Sequence, residues 1–108
     1  MSHITHEIRH GLTLDQAKTL ARTALDDYLA RYGSRGLSAR WSSETRAELQ
    51  VAVRGVHLEA TVDVEADTVR VDAKVPLVLR AFKGVAVTAI EHEAKKWIDK
   101  AKAETPGA

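Results

Sequence analysis

Five histidines are the residues of this 108-residue chain best suited to metal or acid–base chemistry, since imidazole is the commonest metal ligand near pH 7. Alternation of apolar and polar residues around His3, His6 and His10 predicts a strand, on which His3 points away from the other two. His6 and His10 would then lie about 13 Å apart, too far to share one ion. A zinc site would need His57 or His92 to join them. We therefore predict no metal ion, and we expect the tips of His6 and His10 to reach water at the rim of the core.

Candidate nucleophiles lack the local motifs that activate them. Ser42 and Ser43 do not lie in a strand–turn–helix motif of the G-x-S-x-G kind. The segment 91–93, Glu-His-Glu, lacks the second histidine of a zinc-protease helix and is expected to be a solvated helix face. There is no cysteine, which excludes thiolate chemistry and disulfides. The sequence therefore predicts a protein that is not an enzyme, with no catalytic residues and no cofactor.

A short apolar and basic segment near the end of the chain is the candidate interaction surface. Its leucines and phenylalanine offer an apolar contact, and an exposed patch of that kind marks an interface. Arg80 and Lys83 precede a predicted helix, whose free N–H groups favour an anion such as an acyl headgroup. The alternative is a solvated basic turn. The candidate residues are Leu77, Leu79, Arg80, Phe82, Lys83 and Gly84.

Two tryptophans, Trp41 and Trp97, fall on predicted apolar faces. The plainer interpretation is that both anchor the core. The alternative is that they line an apolar pocket for a small ligand. Either way, they are the candidate pocket residues.

Charge limits the partners. The 16 Lys and Arg residues nearly balance 15 Asp and Glu residues, giving a net charge of +1. Such balance provides no field to attract nucleic acid. No apolar run is long enough to span a membrane, and the first residues do not resemble a signal peptide. We therefore expect no nucleic-acid partner, no membrane span and a cytoplasmic location.

The elements that position these residues follow from periodicity. A strand over residues 4–10 precedes a helix that begins with a Thr13–Gln16 capping box and ends at Gly33 and Gly36. Four strands come next, and a second helix begins near residues 81–84.

The hairpin registers can be predicted from the apolar positions. Arg54-Gly55 is predicted to be a two-residue turn, which pairs Val53 with Val56 and matches apolar residues across the two strands. The next turn, near residues 65–68, pairs Val64 with Val69. Its outer face then sets Asp63 opposite Arg70 and Glu59 opposite Lys74, which are complementary charges.

The predicted fold is an α+β two-layer sandwich in the order β-α-β-β-β-β-α, with both helices on one face of an antiparallel sheet. One domain is expected over residues 1–103, with a flexible tail over 104–108. The place of the first strand in the sheet is not predicted. Edge strands of an open sheet invite pairing, which favours a homodimer.

Several segments together resemble a bacterial protein family, the putative polyhydroxyalkanoic acid system proteins. The resemblance covers about residues 3–102, although proline is common in that family at the place of Ala81 and its first two sheet strands are joined by a tighter turn. The most specific part is Leu-Arg-x-Phe-Lys-Gly at residues 79–84. The other matching parts are His10-x-Leu12, Arg31-Tyr32-Gly33, Trp41, the Gly55 turn, residues 69–73 and Ile90-Glu91.

That resemblance implies an accessory protein of intracellular polyester granules, contacting a granule surface or granule proteins, with no catalytic residues to carry over. Two alternatives stay open. One is a carrier of an acyl or hydroxyacyl ligand held between helices and sheet by Trp41 and Trp97. The other, less favoured, is a hydrolase.

Overall fold

The computed structural model describes residues 2–53, 55–76, 81 and 83–103, and these show an α+β fold in the predicted order β-α-β-β-β-β-α. Arg54 and the predicted tail, 104–108, lie outside the described residues. The strands are β1 (Ser2–Arg9), β2 (Leu37–Trp41), β3 (Arg46–Val53), β4 (Val56–Val64) and β5 (Thr68–Val75), and the helices are α1 (Leu14–Tyr32) and α2 (Lys83–Ala103), with a short 3-10 helix over Gly33–Arg35.

The capping box at the start of α1 is confirmed. The Gln16 backbone N–H donates to Thr13 Oγ1 at 3.1 Å, and the Thr13 N–H donates to Gln16 Oε1 at 3.0 Å. The two bonds satisfy donors that a helix start otherwise leaves unpaired. Asp15 in the first turn and Arg31 in the last turn complement the helix dipole.

The helical segment ends at two glycines, Gly33 after α1 and Gly36 after the 3-10 helix, and the two have different conformations. Gly33 caps the helix with right-handed backbone angles, whereas Gly36 has φ +104°. A Cβ at Gly36 would lie 2.3 Å from the carbonyl oxygen of Ala52. Only glycine therefore fits at Gly36, where the chain turns from the 3-10 helix into β2.

The five strands form one antiparallel sheet in the order β1-β5-β4-β3-β2. β1, whose place the sequence left open, pairs with β5 and forms one edge. β2 forms the other edge. The β3-β4 and β4-β5 neighbours are hairpins, so most of the sheet is built from contacts close in sequence.

Both predicted hairpin registers are confirmed. Val53 pairs with Val56, and Val64 pairs with Val69. Gly55 supplies the positive φ, +79°, at the first turn. The predicted cross-strand charge pairs also form: Asp63 Oδ2 lies 3.6 Å from Arg70 Nη2, and Glu59 Oε2 lies 3.7 Å from Lys74 Nζ.

Both helices cover the apolar face of the sheet. α1 contacts β2 and β4, α2 contacts β1, and the helices contact each other. The core between the layers is small, and much of it is aliphatic or alanine, which permits a close approach of helix and sheet. Its buried members are Ile4, Ala17, Leu25, Ala47, Val64 and Ile98, together with His10.

Candidate functional site

Most of the predicted interaction segment lies outside the part of the chain that the structure describes. Leu77, Leu79, Arg80 and Phe82 lie outside the described residues. Their roles, and the anion site predicted for Arg80 with Lys83, stay predictions. The segment joins the end of β5 to the start of α2, which Lys83 and Gly84 open.

The described residues next to this segment are open to solvent. Gly84 is exposed, and an added Cβ would meet nothing within 4 Å. Val85 follows with 68% of its surface exposed, a high value for a large apolar side chain. Thr88 Oγ1 donates to the Gly84 carbonyl at 3.0 Å, which ties the first turn of α2 together. An apolar side chain thus marks the surface where the predicted segment ends.

A polar cluster joins the two helices. Tyr28 on α1 donates its hydroxyl to Glu93 Oε1 on α2 at 2.5 Å, and Trp97 Nε1 donates to the Tyr28 hydroxyl at 2.8 Å. The rings of Tyr28 and Trp97 meet edge to face with centroids 6.1 Å apart, a favoured aromatic geometry. Sequence reasoning missed this cluster, because residues 91–93 were expected to form a solvated helix face.

The protonation of this cluster is set by its surroundings. Burial, with the Glu93 hydrogen bond adding to it, raises the pKa of Tyr28 to about 12. The hydrogen bond from Tyr28 lowers the pKa of Glu93, with Lys96 contributing to the same effect. Tyr28 is thus a neutral donor and Glu93 an anionic acceptor over the whole neutral range.

A groove of about 400 Å³ runs between α1 and α2 beside this cluster. Trp97 forms part of its wall, with Lys100 Nζ 5.3 Å from the ring centroid. Trp41 lies elsewhere, on β2, with the Arg22 guanidinium carbon 4.4 Å from its ring centroid. The groove is lined by Asp15, Gln16, Thr19, Leu20, Thr23, Trp97, Lys100 and Ala101.

The three N-terminal histidines occupy three different environments. His3 and His6 lie on opposite faces of β1. His6 Nε2 approaches Glu91 Oε1 of α2 at 3.1 Å, without the alignment of a hydrogen bond. His10 lies beyond the end of β1 and is fully buried, so the expectation that its tip reaches water was wrong. Within the described ranges, no group of three His, Asp or Glu side chains is placed to hold a metal ion.

His10 is buried because both of its ring nitrogens have backbone partners. Nδ1 accepts from the Leu12 N–H at 3.0 Å, and Nε2 lies 2.9 Å from the Glu65 carbonyl oxygen. A nitrogen that accepts at Nδ1 leaves the proton on Nε2, which then donates to Glu65. The ring is therefore neutral in this arrangement and joins the β1–α1 connection to the β4–β5 turn.

The candidate serines build a turn. Ser43 Oγ accepts from the backbone N–H groups of Thr45 and Arg46 at 3.2 and 3.1 Å. Ser42 Oγ donates to the Arg46 carbonyl at 3.4 Å. Side chains of this type stabilise turns by bonding to nearby backbone, and the β2–β3 connection uses both serines in this way.

The face of the sheet away from the helices is polar and charged, as predicted. Arg46 Nε binds Asp63 Oδ1 at 2.6 Å, and Arg70 lies between Asp63 and Asp72. Arg40 and Glu48 pair across β2 and β3 at 3.2 Å. Such a surface does not favour adhesion to an apolar polymer.

A model of the family described as putative polyhydroxyalkanoic acid system protein matches residues 3–98 of the chain. Searches of curated proteins and of solved structures found no significant match. Among the residues that the structure describes, no helix combines the length and the apolar character needed to cross a membrane.

Proposed function

The chain belongs to the family of putative polyhydroxyalkanoic acid system proteins, and from this premise we propose that it is a non-enzymatic accessory protein of bacterial polyester storage. The family match over residues 3–98 carries the proposal. In this role the protein works in the cytoplasm at the surface of storage granules. It contacts the granule, or a protein on it, through residues 77–84.

Two features of the described surface support this docking segment. Val85, directly beyond it, exposes 68% of an apolar side chain, which extends the predicted apolar patch onto α2. The outer face of the sheet carries ion pairs such as Arg46–Asp63 and is a poor surface for a polyester. Both features favour the β5–α2 junction for the proposed apolar contact.

A fluorescent fusion tests the proposal in cells that accumulate polyester, with the granules counter-stained. We expect the wild-type fusion to form rings around granules. Replacing Leu79 and Phe82 by glutamine is expected to make the signal diffuse while the purified variant keeps its helix and sheet content. An intact wild-type fusion that stays diffuse beside stained granules would contradict the proposal.

Leu14→Gln provides a matched control. Leu14 is another large apolar side chain with 39% exposure, at the start of α1. Lys102 approaches Gly11 just before that helix, so Leu14 lies near the end of α2 that is farthest from the docking segment. The 21-residue α2 separates the two places by about 30 Å. Leu14→Gln should therefore leave the granule signal unchanged.

The non-enzymatic role has its own test. The hydroxyls of Ser42 and Ser43 are engaged by turn backbone. We expect purified protein to hydrolyse a nitrophenyl butyrate ester no faster than the Ser42→Ala, Ser43→Ala double variant does. A rate clearly above that of the double variant would assign the protein to the hydrolases instead.

The groove beside Trp97 favours a second candidate function, a carrier of an acyl or hydroxyacyl ligand. Leu20 and Trp97 offer apolar contact, and Lys100 supplies a cation for a carboxylate. Titration with 3-hydroxyoctanoate should then produce a measurable heat of binding and change the tryptophan fluorescence. Thr19→Leu, which fills the groove without touching the Tyr28 bonds, should abolish both signals.

A further inference from the structure

The two edge strands of the sheet, β2 and β1, differ in the residues whose backbone groups face the open edge. The Ser42 N–H donates to the Arg46 carbonyl at 3.0 Å, and the Ala52 N–H donates to the Gly36 carbonyl at 3.1 Å. Hydrogen-bonded and non-hydrogen-bonded pairs alternate along an antiparallel ladder. The backbone groups of the even-numbered residues of β2 therefore bond to β3. The N–H and C=O groups of its odd-numbered residues point away from β3, toward the open edge.

The residues of β2 whose backbone groups face the open edge are the apolar ones. Leu37, Ala39 and Trp41 alternate with the exposed Ser38 and Arg40, and each of the three is only partly covered. Their side chains lie on the face that the helices cover, so this apolar face continues to the open edge. Among the strands that the structure describes, none pairs with this side of β2. The edge thus combines unpaired backbone groups with an incomplete apolar layer, a combination that favours pairing with another strand.

The β1 edge is built differently. The His10 N–H donates to the Asp67 carbonyl at 3.1 Å. By the same alternation, the N–H and C=O groups of the odd-numbered residues of β1 face the open edge. Natural sheets place polar and charged residues at an edge strand to discourage pairing with another strand. The outward residues of β1 are His3, Thr5, Glu7 and Arg9.

All five residues of β2 match one another in one antiparallel register. When Ala39 faces Ala39 of a second copy, Leu37 faces Trp41 on both sides of a twofold axis. These residues point outward in both copies, so they form about six new backbone hydrogen bonds. The apolar faces fall on the same side. On the other face Arg40 opposes Ser38, which avoids like charges directly across the interface.

We propose that two copies of this chain associate edge to edge through β2, with the twofold axis at Ala39. The two five-stranded sheets then form one continuous sheet. The partner is a second copy because the alternation of backbone groups, the apolar positions and the charges all satisfy the same register. The inference does not rest on the proposed role at granules.

The mass in solution is the first test. Light scattering across a dilution series should give twice the 11.8 kDa of one chain. Ala39→Pro removes an outward N–H without removing a β2–β3 hydrogen bond, as proline is tolerated at such edge positions. It should give a folded monomer. Glu7→Pro, the matched change on the β1 edge, should leave the dimer intact.

Disulfide cross-linking tests the register itself, including the case in which Ala39→Pro fails to fold. The chain has no cysteine, so introduced thiols report alone. Ser38 and Arg40 of facing copies would form non-hydrogen-bonded pairs with Cα atoms about 4.5 Å apart, within disulfide range. The Ser38→Cys, Arg40→Cys double variant should form covalent dimers under mild oxidation. Thr5→Cys with Glu7→Cys, at the same spacing on β1, should not.

Two results would overturn the proposal. One is a wild-type mass of 11.8 kDa up to the solubility limit. The other is a dimer that Glu7→Pro dissociates or that only the β1 cysteines trap, since either outcome moves the interface to the opposite edge.

Discussion

His10 joins two connections that are distant in sequence, and its side chain is fully buried. Replacing His10 by alanine opens a cavity and leaves the Leu12 N–H and the Glu65 carbonyl without their partner. We expect a loss of about 3 kcal/mol in the free energy of unfolding, measured by urea denaturation. His57→Ala, at an exposed histidine on β4, should change it by less than about 0.5 kcal/mol. Equal effects would contradict the assigned role of His10.

Gly36 and Gly55 both have positive φ, but only one is crowded. Gly55→Ala should lose about 1 kcal/mol, the ordinary penalty for a left-handed residue with a side chain. Gly36→Ala adds a collision between its Cβ and the Ala52 carbonyl oxygen at 2.3 Å, so it should melt at a clearly lower temperature than Gly55→Ala. Equal melting temperatures would show that the Ala52 backbone yields without penalty.

The position of His10 shows what a local pattern leaves out. Alternation correctly assigned His6 to the covered face of the strand and His10 to the same side, but it did not predict that His10, just beyond the end of β1 at Arg9, is fully buried. Its burial depends on a carbonyl 55 positions away at Glu65. No local signal in the sequence points to that partner.

At the scale of elements, the contact between α1 and α2 depends on the protonation of Tyr28 and Glu93. The pKa of Tyr28 is raised to about 12, so its contribution is present below the ordinary tyrosine pKa of about 10 and is lost as pH rises through 12. The pKa of Glu93 is lowered, so its contribution is present above the ordinary value of about 4.3 and is lost as pH falls through the lowered value.

Tyr28→Phe should therefore destabilise the protein most between about pH 5 and pH 10. We expect about 1 kcal/mol there, below the usual value for a bond to a charged group because Glu93 is partly exposed. Unfolding curves of both proteins across the pH range measure the difference. Tyr32→Phe removes the hydroxyl of a neighbouring ring that stacks on Tyr28 with centroids 6.5 Å apart. It should show no such pH-dependent loss.

The hairpins were predictable because their partners are close in sequence. Once Gly55 fixes a two-residue turn, the apolar positions of β3 and β4 permit one register, and the Glu59–Lys74 pair follows from the next turn. The pairing of β1 with β5 joins residues far apart in sequence and had no such constraint. The position of Glu93 did carry a signal: it lies three residues after Ile90 and four before Trp97, a spacing that puts the three on one side of a helix.

At the scale of the whole molecule, the proposed dimer affects how the protein would bind a granule. Two copies joined through β2 would carry two docking segments in one particle. Binding at one segment raises the effective concentration of the other at the same surface. Ala39→Pro should then weaken the granule signal of a fusion without altering residues 77–84. If the signal is unchanged while the variant is monomeric, docking requires one copy only, and the dimer serves another purpose.

Dimerisation also predicts how stability responds to concentration. When unfolding and dissociation are coupled, mass action stabilises the folded dimer, and the melting temperature should rise by about 3 °C for each tenfold increase in protein concentration. Ala39→Pro should melt at one temperature at all concentrations, because a monomer unfolds without dissociation. Glu7→Pro should keep the wild-type dependence, since the β1 edge lies outside the proposed interface. Calorimetry over a hundredfold dilution of the three proteins distinguishes these cases, and a flat wild-type response would remove the thermodynamic basis of the dimer.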